Sequence, residues 1–279
     1  MNASDGLINK RQSAIALLRK HRSVLVALSG GVDSAVLLAI AREALGAESV
    51  LAVTGRSGAV TEDEIRDARE VARALKVRHE VVDTMEIERA EYRANAGDRC
   101  FHCRSELFEL LSKLAVERGC DALAYGAIVD DLGDYRPGMD AARRLGVLAP
   151  LLEAGIGKSD VRKLAKEFAM HVHEKPANAC LASRIPMGTE VTPERLGQVG
   201  RAEAALRSLG FRQLRVRHHG EIARIELGEG EALLLTDPVV RAEAVRSVKE
   251  AGFRFVAVDL EAYRGGRLYS IEPHRDGGQ

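Results

Sequence analysis

The sequence predicts an α/β protein, a parallel sheet with helices on both faces, followed by a smaller α+β domain. Three observations carry this expectation. Short apolar runs suited to buried strands alternate with helical patterns through the first half of the chain. The first run leads straight into a glycine-rich turn, Ser29-Gly30-Gly31-Val32-Asp33-Ser34, and then an apolar helix. After a middle rich in proline and glycine, regular patterning resumes at Thr192.

Taken in order, Leu7, Ile8, Ile15, Leu17 and Leu18 make one face of an amphipathic helix over residues 6–21. The run at 23–28 suits a strand buried on both faces. A helix follows over 34–45, with Gly46 placed to end it. The alternation continues with strands at 49–54, 77–82 and 121–125 and helices at about 61–75 and 103–118. Five of the seven prolines then fall between Pro137 and Pro193, which predicts loops around one helix at about 159–169. Beyond them, Thr192 before Pro193 marks the start of a helix running to Ser208. Strands at about 212–218 and 222–227, a helix at 238–250 and a strand at 253–259 complete the pattern. The expected domains are 1–189 and 190–279.

Composition narrows the function. The 279 residues carry 41 basic and 41 acidic side chains, so nothing draws the chain to nucleic acid in general. The longest uninterrupted apolar run, 35–41, is too short to cross a membrane. The polar first dozen residues do not read as a signal peptide, and a cytoplasmic protein is expected. In that setting a Cys-x-x-Cys pair reads first as metal-binding or redox-active.

The turn at 29–34 sits where a strand meets a helix N-terminus, and such a terminus favours an anion. Gly30 and Gly31 let a phosphate approach the backbone, and Ser29 and Ser34 add hydroxyl donors. The spacing is not that of the kinase and GTPase loop, which needs a Gly-Lys-Ser/Thr ending.

Cys100 and Cys103 open a helix, where a thiolate is favoured, and Cys180 lies in the loop-rich middle. The three suit a 4Fe–4S cluster with one iron left open. A zinc site completed by His102, His171 or His173, and a redox pair with Cys180 as a separate nucleophile, are alternatives. Cys120 reads as a core residue. Arg184, Arg215 and Arg217, with Arg212 and Arg224 nearby, are candidates to hold a carboxylate or phosphate, against the plainer reading of a solvated, paired sheet face. Asp130, Asp131 and Asp134 suit either Mg²⁺ or ribose contact or ordinary turn chemistry.

The turn resembles the pyrophosphate loop of the PP-loop ATP pyrophosphatases. That likeness implies ATP and Mg²⁺ as cofactors, Asp33 in the catalytic set, and adenine against the second strand near Val53, with Gly126 as a further contact. Four further blocks follow in order: Asp98-Arg-Cys-Phe-His-Cys-Arg104, Asp131-Leu-Gly-Asp-Tyr-Arg-Pro-Gly138, Ala179-Cys-Leu-Ala-Ser-Arg-Ile-Pro186, and Arg215-Val-Arg217 with Ala223-Arg-Ile-Glu226. Together they are similar to the LarE family of ATP-dependent sulfur transferases. That resemblance implies adenylation of a carboxylate of pyridinium-3,5-biscarboxylic acid mononucleotide, a small anionic nucleotide, followed by attack of sulfur. It implies Cys180, Cys100 and Cys103 as catalytic residues, either through a cluster-bound sulfide or through Cys180 giving up its own sulfur. It also implies a homo-oligomer. A tRNA-thiolating PP-loop enzyme and an amide ligase of the NAD or GMP synthetase kind are the competing readings. The neutral charge disfavours the first, and the cysteines have no use in the second.

Overall fold

A computed structural model describes residues 3–133, 137–174 and 179–263. In chain order the elements are α1 (Ala3–Leu18), β1 (Val24–Ala27), α2 (Val32–Leu45), β2 (Val50–Arg56), α3 (Glu62–Ala74), β3 (Arg78–Asp83), α4 (Ala90–Ala94), α5 (Arg99–Glu117) and β4 (Ala122–Tyr125). They continue with α6 (Pro137–Arg144), α7 (Pro150–Glu153), α8 (Lys158–Glu167), α9 (Pro193–Ser208), β5 (Leu214–His219), β6 (Ile222–Leu227), α10 (Pro238–Glu250) and β7 (Phe255–Val258). The chain forms two compact units, Met1–Ala179 and Cys180–Gln279. None of the helices among the described residues is long and apolar enough to cross a membrane.

The first unit holds the expected parallel sheet, in the order β3-β2-β1-β4. Val24 pairs with Val50 on one side and Ala122 on the other, while Leu51 pairs with Arg78. Successive strand residues point to opposite faces, and the core divides accordingly. Val24, Val26, Val50, Ala52 and Ala124 pack with α1, α2, α3 and α8 through Ile15, Leu18, Leu38, Ile40, Val71 and Leu164. Leu25, Leu51, Val53, Leu123 and Tyr125 pack on the other face against Phe108, Leu111 and Leu114 of α5 and Ala141 and Ala142 of α6. Strands covered on both faces have no polar side to alternate with, which is why they read as near-continuous apolar runs. Each fully buried Leu or Ile contributes roughly 1.5–3 kcal/mol relative to exposure.

In the second unit, β5 pairs antiparallel with β6, and β6 pairs parallel with β7. Leu196, Val199 and Leu206 of α9 and Ala244 and Val248 of α10 are buried, as are Leu214, Val216, Ala223 and Ile225 of the strands. Both helices are capped by the residue before their first proline. Thr192 accepts a hydrogen bond from the Arg195 N–H at 3.3 Å, and Asp237 accepts one from Val239 at 2.7 Å.

The middle of the chain departs from expectation. Where loops around one helix were expected, α6 and α7 are helical as well as α8. Pro137 and Pro150 open these two helices, a position where proline's missing N–H has no intrahelical partner to lose. The division between units falls at 179/180, ahead of the expected 189/190. A 3₁₀ turn at Leu181–Arg184 buries Leu181, Ala182 and Arg184 within the second unit. Asp134 lies outside the described residues.

Candidate functional site

The glycine turn joins β1 to α2 at the carboxyl end of the parallel sheet, the end at which such sheets take their ligands. Its two serines lock together. Ser34 Oγ accepts from the Ser29 N–H at 3.1 Å, lies 3.1 Å from Ser29 Oγ and donates to the Gly31 carbonyl at 3.0 Å. Gly30 has φ +73°, and a Cβ there would stand 2.3 Å from the Glu64 carbonyl oxygen of α3. Both the backbone conformation and the close approach therefore require glycine. Gly126 follows β4, and a Cβ there would meet Ser34 N at 2.8 Å and Ser34 Cα at 2.9 Å. Glycine at this point lets the end of β4 close directly onto the first turn of α2.

Asp33, in that first turn, is held by Lys158, whose Nζ lies 2.8 Å from both carboxylate oxygens. Sequence reasoning missed Lys158, although its position carried a signal. It is the first residue of α8, and a cation there opposes the helix dipole unless another charge uses it. A lysine and a helix N-terminus thus meet at one loop, a combination suited to a polyphosphate. Ser29, Gly30, Gly31, Asp33, Ser34 and Gly126 lie together at this end of the sheet.

Val53 has its side chain in the core, and its carbonyl accepts from the Leu28 N–H at 2.8 Å. The neighbouring Thr54 hydroxyl donates to the Leu28 carbonyl at 2.7 Å and lies 2.8 Å from His79 Nε2. Burial holds the His79 imidazole below its usual pKa, with the charge of Arg69 adding to the effect. Asp130 and Asp131 both accept hydrogen bonds from backbone N–H groups. Asp130 Oδ2 accepts from the Lys158 N–H at 2.7 Å, fixing the start of α8, and Asp131 Oδ2 accepts from the Ile128 N–H at 3.0 Å.

Cys100 and Cys103 occupy the first two turns of α5, one exposed and the other half-buried. Residues three apart share a helix face, and thiolates near a helix N-terminus are stabilised. Arg99 is buried beside them and donates to Asn95 Oδ1 at 2.6 Å. His102 Nε2 lies 3.0 Å from Asp98 Oδ2, across the first turn of the same helix. His171 sits elsewhere in this unit, next to Asp67 and Glu70. Cys120 is half-buried against the apolar cluster, and burial pushes its thiol up.

Cys180 opens the second unit as a free, half-buried thiol. Arg184 follows in the same turn with its side chain fully buried. Its Nε and Nη2 donate to the two Glu203 oxygens at 2.8 and 3.1 Å, and its Nη1 reaches Ser183 Oγ and the Cys180 carbonyl. Glu203 also accepts from Arg207 and from the Val216 N–H. Burial alone would raise the Glu203 pKa, but the charge and hydrogen bonds of Arg184, with Arg207, hold it below the carboxylate range. Sequence reasoning missed Glu203 too. It falls at a core-facing position of α9 among Leu196, Val199 and Leu206, where an unpaired acid would be out of place.

Arg217 donates to Glu226 at 2.7 Å and to the Ser183 carbonyl at 3.0 Å, tying the cysteine-bearing turn to β5. Arg215 is buried, stacks over the Tyr263 ring at 4.7 Å, and has its pKa lowered by burial and by the charge of Arg184. Among the described residues, Arg184 and Arg207 pair with Glu203, Arg217 and Arg224 pair with Glu226, and Arg224 also reaches Asp259. Of the plainer reading, a solvated sheet face paired with acidic neighbours, the solvation does not hold for Arg215 and Arg217, which are both buried, while the acidic pairing does hold for Arg217 through Glu226. Guanidinium groups are chemically suited to a carboxylate or phosphate.

A family description for NAD synthase matches residues 14–107, from α1 through the phosphate loop to the cysteine pair. An uncharacterized protein of Synechocystis sp. is 41% identical over 247 residues, covering 88% of this chain and 92% of its own. The pyridinium-3,5-bisthiocarboxylic acid mononucleotide synthase of Lactiplantibacillus plantarum is 36% identical over 265 residues, covering 94% of each chain. The chain belongs to the LarE family. As a LarE-type protein it is also one of the ATP-using PP-loop enzymes. The tRNA-specific 2-thiouridylase of Rickettsia rickettsii shares 30% identity over 199 residues, which span 58% of this chain.

Proposed function

We propose that the protein transfers sulfur to pyridinium-3,5-biscarboxylic acid mononucleotide at the expense of ATP. The observation that carries this reading is the end-to-end likeness, over 94% of both chains, to a synthase whose name gives the bisthiocarboxylic product. The site supports it chemically. A carboxylate is a poor electrophile, and its oxygen must first attack the α-phosphorus of ATP, expelling pyrophosphate. The N-terminus of α2, the serine pair and Lys158 stabilise charge on that leaving group, and Mg²⁺ bound with ATP would add to them. Sulfur then attacks the acyl carbon, the C–O bond to AMP breaks, and a thiocarboxylate remains. The buried arginines of the second unit, led by Arg215 and Arg217, hold the anionic mononucleotide.

The donor set fits an iron–sulfur centre. None of the three is in a disulfide, and two of them lie at the positive end of α5. We assign Cys100, Cys103 and Cys180 as ligands of a 4Fe–4S cluster, which when bound would carry the sulfur to be transferred as an additional sulfide. We further infer a cytoplasmic homo-oligomer, a setting in which all four thiols stay reduced. Anaerobic purification with iron and sulfide analysis, on wild type and on single Cys→Ala variants, tests the assignment. Iron lost in all three variants supports it. If no iron binds, only Cys180→Ala stops sulfur transfer, and the protein loses the mass of H₂S on turnover, then Cys180 itself is the sulfur donor.

A further inference from the structure

A chain of hydrogen bonds runs from β3 into the phosphate loop, and every link in it points the same way. Its centre is the Leu28–Ser29 peptide, the last unit before the glycines, which is held from both sides. Thr54, near the carboxyl end of β2, donates its one hydroxyl hydrogen to the Leu28 carbonyl at 2.7 Å. The N–H of the same peptide, that of Ser29, donates to Ser34 Oγ at 3.1 Å, and Ser34 in turn donates to the Gly31 carbonyl at 3.0 Å. Because the Thr54 hydrogen is spent on Leu28, the hydroxyl oxygen can only accept at its other contact, 2.8 Å from His79 Nε2. His79 of β3 is therefore the donor, with its hydrogen on Nε2. Burial and the charge of Arg69 on α3 favour the neutral ring.

The paired register of β1 with β2 ends at Ala27. The Thr54 hydroxyl extends the hold of β2 by one residue, to the carbonyl at which the chain leaves the sheet. Leu28 and Thr54 are each 2% exposed, so water is a poor substitute for this contact. Hydrogen bonds linked head to tail polarise one another. The chain ends on the Gly31 carbonyl, whose peptide partner is the N–H of Val32, the first residue of α2. That N–H is among those a helix start leaves without an intrahelical partner and offers to an anion. Polarising the Gly31 carbonyl makes it a stronger donor. We propose that His79 and Thr54 are positioning residues of the ATP site, fixing the Leu28–Ser29 peptide and strengthening the N–H donors that meet the phosphates. The proposal rests on the reading of this loop as the seat of the ATP phosphates. Both residues act through the loop rather than on the nucleotide.

The test is binding of α,β-methylene-ATP with Mg²⁺ to the full-length protein, followed by calorimetry, with thermal unfolding recorded on the same samples. The bridge of this analogue cannot be cleaved, so binding is read without turnover. Thr54→Val keeps the shape and removes the hydroxyl, and His79→Phe keeps a ring and removes the donor. Each should weaken binding about five- to tenfold, the worth of a buried hydrogen bond. Thr54→Ser and His79→Gln keep a hydroxyl and an N–H donor, and should bind within about twofold of wild type. Wild-type affinity in Thr54→Val and His79→Phe overturns the proposal, whatever their Tm, and leaves the chain as a tie between strands. An equal loss in the serine and glutamine variants also overturns it, because shape rather than hydrogen bonding would then decide. Wild-type protein that does not bind the analogue overturns the reading of the loop itself, and this proposal with it.

Discussion

Replacing Lys158 by methionine separates the chemical role of this residue from its structural one. The substitution keeps the aliphatic stem and removes the ammonium that lies 2.8 Å from both Asp33 oxygens. The stability effect follows from exposure. The two side chains are 28% and 30% exposed, so solvent screens their attraction and the pair is worth at most about 1 kcal/mol. The catalytic effect follows from position. In the proposed mechanism this charge acts on the departing pyrophosphate, where charge develops, and losing one such donor costs roughly 10²–10³ in kcat, or about 3–4 kcal/mol of barrier. The assay is pyrophosphate release from ATP in the presence of the pyridinium mononucleotide, with thermal unfolding measured on the same samples. A drop in kcat of about 10²-fold or more, with Tm within about 3 °C of wild type, is expected. A rate within threefold of wild type would show that Lys158 only steadies Asp33 and would refute the reasoning.

Other consequences are equally direct. Gly126→Ala places a methyl 2.8 Å from Ser34 N, so the first turn of α2 must shift; ATP affinity measured by calorimetry should fall at least tenfold with little change in helix content. Glu203→Gln leaves the fully buried Arg184 guanidinium without its charge partner; urea unfolding should show a loss of about 3–5 kcal/mol, and the double variant Arg184→Met/Glu203→Gln should recover part of it. The Glu203 pKa is lower in the folded protein than in the unfolded chain, so its contribution is fully present above the ordinary carboxylate value of about 4.3. That contribution is lost as pH falls through the lower folded-state value, and acid unfolding of Glu203→Gln should show a correspondingly shallower pH dependence.

The fold was legible because the two periodicities it uses are strong. Doubly covered strands such as 50–53 are uninterrupted apolar runs, and α2 is framed by glycines at both ends. The phosphate loop was legible for a related reason, since Gly30 and Gly126 answer to steric demands that no other residue meets. What stayed hidden was long-range pairing. Lys158 and Asp33 are 125 residues apart, and Arg184 and Glu203 meet only once α9 has folded against the turn that bears Cys180. Both left local traces, a cation at a helix N-terminus and an acid on an apolar helix face, but a trace of that kind names no partner. The helices α6 and α7 were obscured because proline reads as a breaker unless its position within the helix is known.

The central claim is ATP-driven sulfur transfer to a carboxylate, and product analysis tests it most directly. Anaerobically purified protein, incubated with ATP, Mg²⁺ and pyridinium-3,5-biscarboxylic acid mononucleotide, should release pyrophosphate and AMP in step with a thiocarboxylate product. By mass spectrometry that product is heavier by about 16 Da, one oxygen exchanged for sulfur, and it should be absent with Cys180→Ala. Pyrophosphate release without any sulfur-bearing product, or sulfur appearing on bulk tRNA instead of the mononucleotide, would contradict the account.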